Sequence, residues 1–330
     1  MQTPLISIIV PMYNEGSNVD IFYERMKKVL DQIGYPYEIV CINDGSRDDT
    51  LLRLKNLNFK DPRVKLIDLS RNFGKEIAMS AGLDLCTGDL VIPIDADLQD
   101  PPELIAALIE KWKEGYDVVY ATRLKREGET VMKKATAHMF YRLIKKMTPI
   151  DIPADTGDFR LMTRPVVDAL KELREHHRFM KGLFSWVGFK QTSVPYLREP
   201  RYSGKSSFNF LKLFNFAIEG ITSFTFVPLQ IATYIGIGVS FFSFLYAIYM
   251  FTNTLLYGNP VPGYPSLIVT ILFLGGVQLM TLGIIGEYIG RIYNETKNRP
   301  LYLTREKIGF TPMERKDNGQ MDKAKFPSVI

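Results

Sequence analysis

The sequence predicts an α/β domain, with parallel strands covered by helices on both faces, followed by an amphipathic helix and a two-helix membrane hairpin. Three observations predict it. Over residues 5–124, apolar runs of strand length alternate with amphipathic helical patterns, the order that builds a parallel sheet between two helical layers. Polar clusters close the first four of those runs, so they fall together on one rim, where ligands of such sheets bind. No Asp, Glu, Lys, Arg or His occurs between Glu219 and Glu287, and that span holds two apolar runs of the ~20 residues that a bilayer crossing requires.

The strands read from "LISIIVPMY", "YEIVCIND", "VKLIDLS", "LVIPIDA" and "DVVYATR". Helical patterns between them start near Asn18, Asp48, Gly74 and Pro102. Asp48 and Asp49 suit a first helical turn, and so does "DPPEL" with its prolines and acid. Residues 125–150 read as a basic helical stretch, and a solvated face explains most of its charges. The loop "DIPADTGD", the strand "FRLMTR", a helix from Pro165 and the strand "QTSVPYLRE" come next. From Ser207 an apolar stripe through Phe210, Leu213, Phe214 and Ala217 fits either a helix in the lipid headgroup layer or one packed on a core.

The runs "IATYIGIGVSFFSFLYAIYMFTNTLL" and "SLIVTILFLGGVQLMTLGIIG" flank the turn "YGNPVPGYP" and read as a membrane hairpin, against a buried soluble hairpin as the competing reading. Cations precede it at Arg198, Arg201, Lys205 and Lys212 and follow it from Arg291 to Lys307, while the turn has none; this bias puts both flanks in the cytoplasm. The expected division is 1–206 for a cytoplasmic catalytic domain, 207–228 for the interfacial helix, 229–292 for the hairpin and 293–330 for a cytoplasmic tail. After Phe310 that tail is polar and expected to be disordered. The expected location is the inner membrane, multi-pass, with both termini cytoplasmic.

Composition excludes some functions. The net charge of +5 is not the dense basic field of a nucleic-acid binder. Cys41 and Cys86 sit in apolar runs without metal-ligand spacing and read as reduced core residues of a cytosolic domain. "MQTPLISIIVPMYNE" lacks the basic start of a secretory signal and reads as a strand. His138, His176 and His177 form no metal spacing and read as surface residues. Gly275, Gly276, Gly283 and Gly286 suit helix association, either in a homo-oligomer or within one hairpin.

The chemistry concentrates in "LVIPIDADLQD". Asp95 and Asp97, two apart at a strand end, point to one side, and burying such carboxylates unpaired is costly. A divalent cation, Mg²⁺ or Mn²⁺ bridging nucleotide phosphates, removes the repulsion, and Gln99 offers a further neutral oxygen. Asp100, before "PPEL", reads as a helix cap. Tyr13 can stack on a base, Glu15 can meet ribose hydroxyls, and Asp44 in "NDGS" can accept from the base or serve the turn. Lys75 closes the cluster "SRNFGK". Asp158 in "DTGDFR" reads as a general base, as a carboxylate orienting the attacking oxygen, or as a loop cap, with Asp155 as its local competitor. Arg201 and Lys205 in "REPRYSGKSSFN" suit phosphate, or simply anionic lipid. No G-x-G-x-x-G follows the first strand and no G-x-x-x-x-G-K-[ST] occurs, which disfavours a Rossmann dehydrogenase and a P-loop NTPase.

Together "SIIVPMYNE", "INDGSRDDT", "RNFGKEIAMSAGL", "DADLQDPPE" and "TGDFRLM" resemble family 2 glycosyltransferases of the GT-A fold, a mixed-sheet α/β architecture. With the paired C-terminal helices, the chain is similar to the polyprenyl-phosphate branch of that family, most of all to its bactoprenol glucosyltransferases. The resemblance spans roughly residues 5–300. It implies that Asp95, Asp97 and Gln99 hold the metal, that Pro11, Tyr13, Glu15, Asp44, Lys75 and Asp95 serve the donor nucleotide, and that Arg201 and Lys205 approach the phosphates. Asp158 is the implied catalytic carboxylate. The implied reaction is inverting transfer of one hexose from UDP-glucose to undecaprenyl phosphate at the cytoplasmic membrane face. The Q-x-x-R-W string of processive synthases is absent, which agrees with single transfer. The alternatives are a GDP-mannose-dependent mannose synthase of the same branch and a membrane-anchored nucleotide-sugar-binding protein without turnover.

Overall fold

The computed structural model describes residues 3–124, 153, 156–176, 178–197, 225, 227–258 and 263–310. The basic stretch 125–150, Asp155, the helix expected from Ser207 and the tail after Phe310 lie outside the described residues. The strands are β1 (Ile6–Met12), β2 (Tyr37–Asn43), β3 (Val64–Leu69), β4 (Leu90–Pro93), β5 (Val118–Arg123), β6 (Thr156–Thr163), β7 (Gln191–Tyr196) and β8 (Thr304–Ile308). The helices are α1 (Gly16–Ile33), α2 (Thr50–Lys60), α3 (Lys75–Leu85), α4 (Leu104–Lys113), α5 (Arg164–Glu172), α6 (Met180–Trp186), α7 (Val227–Tyr257) and α8 (Tyr264–Thr296).

The strands form one sheet in the order β7-β5-β6-β4-β1-β2-β3-β8. Alternation along β1 shows how it is covered. Ile6, Ile8 and Val10 pack with Val19, Phe22 and Met26 of α1, while Ile9 joins Val40, Ile42, Ala78 and Met79 on the face of α3. The buried α1 residues recur every three to four positions, the spacing of one helical stripe. Each large apolar side chain fully buried in this way contributes about 1.5–3 kcal/mol. Cys41 and Cys86 are free and buried, and burial pushes the Cys41 thiol up to about 12.

The five strands read over residues 5–124 run parallel to one another, and two further strands run the opposite way. β6 lies antiparallel between β4 and β5, and β8 lies antiparallel on the edge beside β3, giving the mixed sheet that the GT-A resemblance implies. "DTGD", read as a loop, enters β6 from Thr156. β8 had no counterpart in the sequence reading, which treats this stretch as tail. Its sequence "TREKI" is charged, as a solvated edge strand requires, and ion pairs hold it: Lys55 with Glu306 at 2.5 Å and Arg305 with Asp68 at 3.4 Å.

The segments Leu229–Tyr257 and Val269–Thr296 are long and apolar enough to cross a membrane. Their apolar side chains face outward, with Phe242, Leu255 and Leu279 at 70, 74 and 72% exposure, the reverse of a buried soluble hairpin. Among the described residues, a Cβ at Gly275, Gly276, Gly283 or Gly286 would meet no atom within 4 Å. His176 is not a plain surface residue. Its Nδ1 lies 3.1 Å from Glu295 Oε2 and its Nε2 2.8 Å from Arg299 O, tying the segment after α5 to the end of α8.

Candidate active site

The polar clusters meet on one rim because β1, β2, β3 and β4 run parallel and end there. Cross-links fix the loops after β1 and β2. Asn14 N–H donates to Ser46 Oγ at 3.0 Å, Arg47 N–H donates to Asn14 Oδ1 at 2.8 Å, and Gly16 N–H donates to Asp48 Oδ2 at 3.0 Å. Glu15 N–H donates to Thr50 Oγ1, and its Oε2 accepts from Asn18 Nδ2 at 2.6 Å. Pro11 is half-buried in β1, while Tyr13 leaves its ring exposed on the rim.

Asp44 is buried, and its carboxylate accepts the backbone N–H of Phe73 at 2.7 Å and of Gly74 at 3.0 Å. Burial raises its pKa, against those two N–H groups and Arg71. The sequence reading gave Asp44 to the base or to a turn. The structure shows it gripping the turn that presents Lys75, the first residue of α3.

Past β4 the exposure alternates: Asp95, Asp97 and Gln99 are half-buried, while Ala96, Leu98 and Asp100 are buried. The two aspartates therefore share the open side. Leu98 has φ 57°, and Gln99 N–H donates to Asp97 Oδ1 at 3.2 Å, closing a tight turn there. Asp100 corrects its reading as a helix cap. Residue Glu103 precedes α4, whereas Asp100 accepts from the Tyr196 hydroxyl and lies 3.9 Å from an Arg123 nitrogen.

Asp158 stands on a strand, not in a loop. The antiparallel pairing of Leu90 with Thr163 and Val91 with Met162 runs β6 in from the rim, so its first residues, Asp158 among them, lie at the end where β4 gives way to Asp95. Lys75 bridges them. Its Nζ is 2.6 Å from Asp95 Oδ1, 2.9 Å from Asp95 Oδ2 and 2.6 Å from Asp158 Oδ2. Desolvation works against the Lys75 charge, but the two carboxylates raise its pKa well above the usual value. Burial likewise opposes the Asp158 charge, yet Lys75, Lys181 and Arg160 hold that carboxyl well below the ordinary range.

Behind this pair lie residues the sequence reading missed. Arg160 is buried, with its guanidinium 3.8 Å from the centre of the Phe184 ring; burial lowers its pKa to about 10, so it stays cationic at neutral pH. Glu76 accepts the Met180 N–H, and its Oε2 and Asp158 Oδ1 are buried without hydrogen-bond partners among the described residues. Burial, and then the Asp158 charge, push Glu76 up to about 8. The signal for Glu76 was present in "RNFGKE", but nothing local distinguishes it from a first-turn acid. Arg201 and Lys205 lie outside the described residues.

Among described residues no third His, Cys, Asp or Glu joins a metal-binding group with Asp95 and Asp97. Two hard carboxylates on one open side still fit Mg²⁺ or Mn²⁺, because such ions keep several positions for phosphate oxygens and water.

The pattern of Glycosyl transferase family 2 matches residues 7–171, and that of the GtrB C-terminal hairpin matches residues 227–292. Among solved structures, glucosyl-3-phosphoglycerate synthase of Mycobacterium tuberculosis overlaps 66% of this chain and 78% of its own, with a TM-score of 0.48 at 17% identity. An uncharacterized glycosyltransferase of Synechocystis sp. is 54% identical across 94% of this chain and 98% of its own length. The bactoprenol glucosyl transferase of Shigella phage SfX is 51% identical across 92% of this chain and 99% of its own. With such identity over nearly the whole length of both relatives, the chain belongs to glycosyl transferase family 2 and is a glycosyltransferase.

Proposed function

We propose that this glycosyltransferase moves one glucose from UDP-glucose to undecaprenyl phosphate at the cytoplasmic face of a membrane, with inversion at the sugar carbon. The observation that carries the reading is the meeting of Asp95, Lys75 and Asp158 on the ligand rim of a chain with two membrane-length helices. The 51% identity to a bactoprenol glucosyl transferase supports the donor and acceptor. β8 supports the topology, because a chain that rejoins the catalytic sheet soon after α8 is what a hairpin with both ends on one side requires. We divide the chain at 1–206, 207–228, 229–292 and 293–330, with 304–308 returning to the catalytic unit. A homo-oligomer through the open glycine face of α8 belongs to the same reading.

In the reaction, a phosphate oxygen of the lipid bonds to the anomeric carbon from the face opposite UDP. The bond from that carbon to the diphosphate oxygen breaks, and its electron pair leaves with UDP. Asp95 and Asp97, with Gln99, would hold Mg²⁺ or Mn²⁺, which when bound supplies positive charge to the departing diphosphate. Tyr13 stacks on the base; Pro11, Glu15 and Asp44 complete the nucleotide pocket. Arg201 and Lys205 meet phosphate. The acceptor is already anionic at neutral pH, and Asp158 is too strong an acid to be a good base. Its charge holds Lys181 and Arg160 at the rim where two phosphates come together, and Lys75 until a ligand draws that ammonium away.

The test is turnover of purified full-length protein in detergent with labelled UDP-glucose or GDP-mannose, Mg²⁺ and undecaprenyl phosphate. Glucosyl lipid from UDP-glucose is expected, with Asp97→Ala slower by about 10³-fold. Product from GDP-mannose alone would replace the donor, and nucleotide binding without product would remove the activity.

A further inference from the structure

Lys75 contacts the carboxylate oxygens given above to a divalent ion. Its ammonium contacts both oxygens of Asp95, at 2.6 and 2.9 Å, and reaches Asp158 at 2.6 Å on the other side. A lysine and a divalent cation sharing one carboxylate at such range repel each other. One must leave. Lys75 is free to do so, since 43% of its side chain is exposed and its charge sits on a flexible four-carbon stem. Its backbone need not follow, because the turn before it is pinned through Gly74 N–H to Asp44. Asp158 does not become a bare buried charge when Lys75 departs, for Lys181 and Arg160 still act on it.

We propose that Lys75 is an exchange cation: it neutralises Asp95 and Asp158 in the resting enzyme, is displaced from Asp95 by the divalent ion, and then binds the diphosphate of the donor. This rests on the nucleotide-sugar reading of the site. It makes the metal a weak ligand by itself and a strong one with nucleotide, because the displaced ammonium then has a new anion. It also joins donor and acceptor halves, since the same departure frees Asp158.

Mn²⁺ binding by the full-length protein in detergent, followed by electron paramagnetic resonance with and without UDP, tests it. Without UDP, Lys75→Met is expected to bind Mn²⁺ roughly twofold to fivefold more tightly than wild type, the scale of a partly exposed ion pair. UDP should then tighten Mn²⁺ binding by a larger factor in wild type than in Lys75→Met. Lys75→Arg, which keeps the charge, should follow wild type in the first measurement. Equal or weaker Mn²⁺ binding by Lys75→Met alone overturns the exchange, and equal gains from UDP overturn the diphosphate contact. Lysine acylation read by mass spectrometry needs no variant: Mn²⁺ should raise labelling of Lys75, and UDP with Mn²⁺ should suppress it. Labelling indifferent to Mn²⁺ contradicts the proposal. Wild type that binds no Mn²⁺ even with UDP, or binds it equally after Asp97→Ala, would instead remove the metal site itself.

Discussion

The two rims of the sheet treat buried carboxylates in opposite ways. At the amino end of β2, Glu38 is buried with a partner for each oxygen, although Oε2 has an ion pair and no hydrogen bond. Its Oε1 accepts from Ser7 Oγ at 2.5 Å, Thr87 N–H at 2.7 Å and Thr87 Oγ1 at 3.1 Å. Its Oε2 lies 2.5 Å from Lys65 Nζ, in the geometry of an ion pair more than of an aligned hydrogen bond. Burial opposes the Glu38 charge, but these partners win and its pKa is lowered. At the other rim, Asp158 and Glu76 each keep a buried oxygen with no hydrogen-bond partner among the described residues, and the side chain of the lysine between Asp95 and Asp158 is partly exposed. A satisfied charge network holds a fold together. An unsatisfied one is costly and calls for a partner.

Substitution should separate the two. Asp158→Asn is expected to lower turnover by about 10²–10³-fold, while the melting temperature moves little because Lys75 retains Asp95. Wild-type turnover would take Asp158 out of the chemistry. Glu38→Ala should do the reverse, costing about 3 kcal/mol of stability through a stranded lysine and unpaired donors, with turnover per folded molecule near wild type. Thermal unfolding and single-turnover assays on both variants decide it, and a matched pattern in the two would erase the distinction between the rims.

Glu76 gives a pH signature. Its folded pKa is raised to about 8, above the unfolded value, so the folded state binds the extra proton. The contribution is therefore intact at low pH and is lost as pH rises through the unfolded value towards 8. Glu76→Gln should unfold like wild type near pH 4 and be more stable at pH 9, by on the order of 2 kcal/mol. No difference at pH 9 would mean that Glu76 is ionised without cost.

Much of this rim was legible in the sequence. Runs such as "SIIVPMYNE" and "LVIPIDADLQD" carry both the apolar signal of a strand and the polar residues that close it, so their place on a common rim follows from alternation alone. The hairpin was legible for a coarser reason, the absence of charge over a long span. What could not be read is register. Nothing in "DTGDFRLM" states that it pairs backwards beside β4, and that pairing is what sets Asp158 against Asp95. β8 was hidden because a charged edge strand looks like a loop. The role of Asp44 was half-read: its turn was expected, but the turn it grips belongs to another segment, thirty residues away.

Two glycines carry the contrast down to the backbone. Gly88, below the sheet, has no room: a Cβ would come within 2.7 Å of Ser7 N and Leu5 O, so alanine there must push β1. Gly74, at the active rim, has room but no freedom. A Cβ would meet nothing within 4 Å, yet φ is 98° and ψ is 154°, a region open to glycine alone. Gly88→Ala should therefore lower the melting temperature and leave UDP affinity unchanged. Gly74→Ala should cost only about 1 kcal/mol of stability, and relief of its strain turns the N–H away from Asp44 and shifts Lys75. Its effect should appear in UDP binding by calorimetry, weakened about threefold to tenfold. Unaltered UDP affinity in Gly74→Ala would show that the Asp44 grip on this turn is structural only.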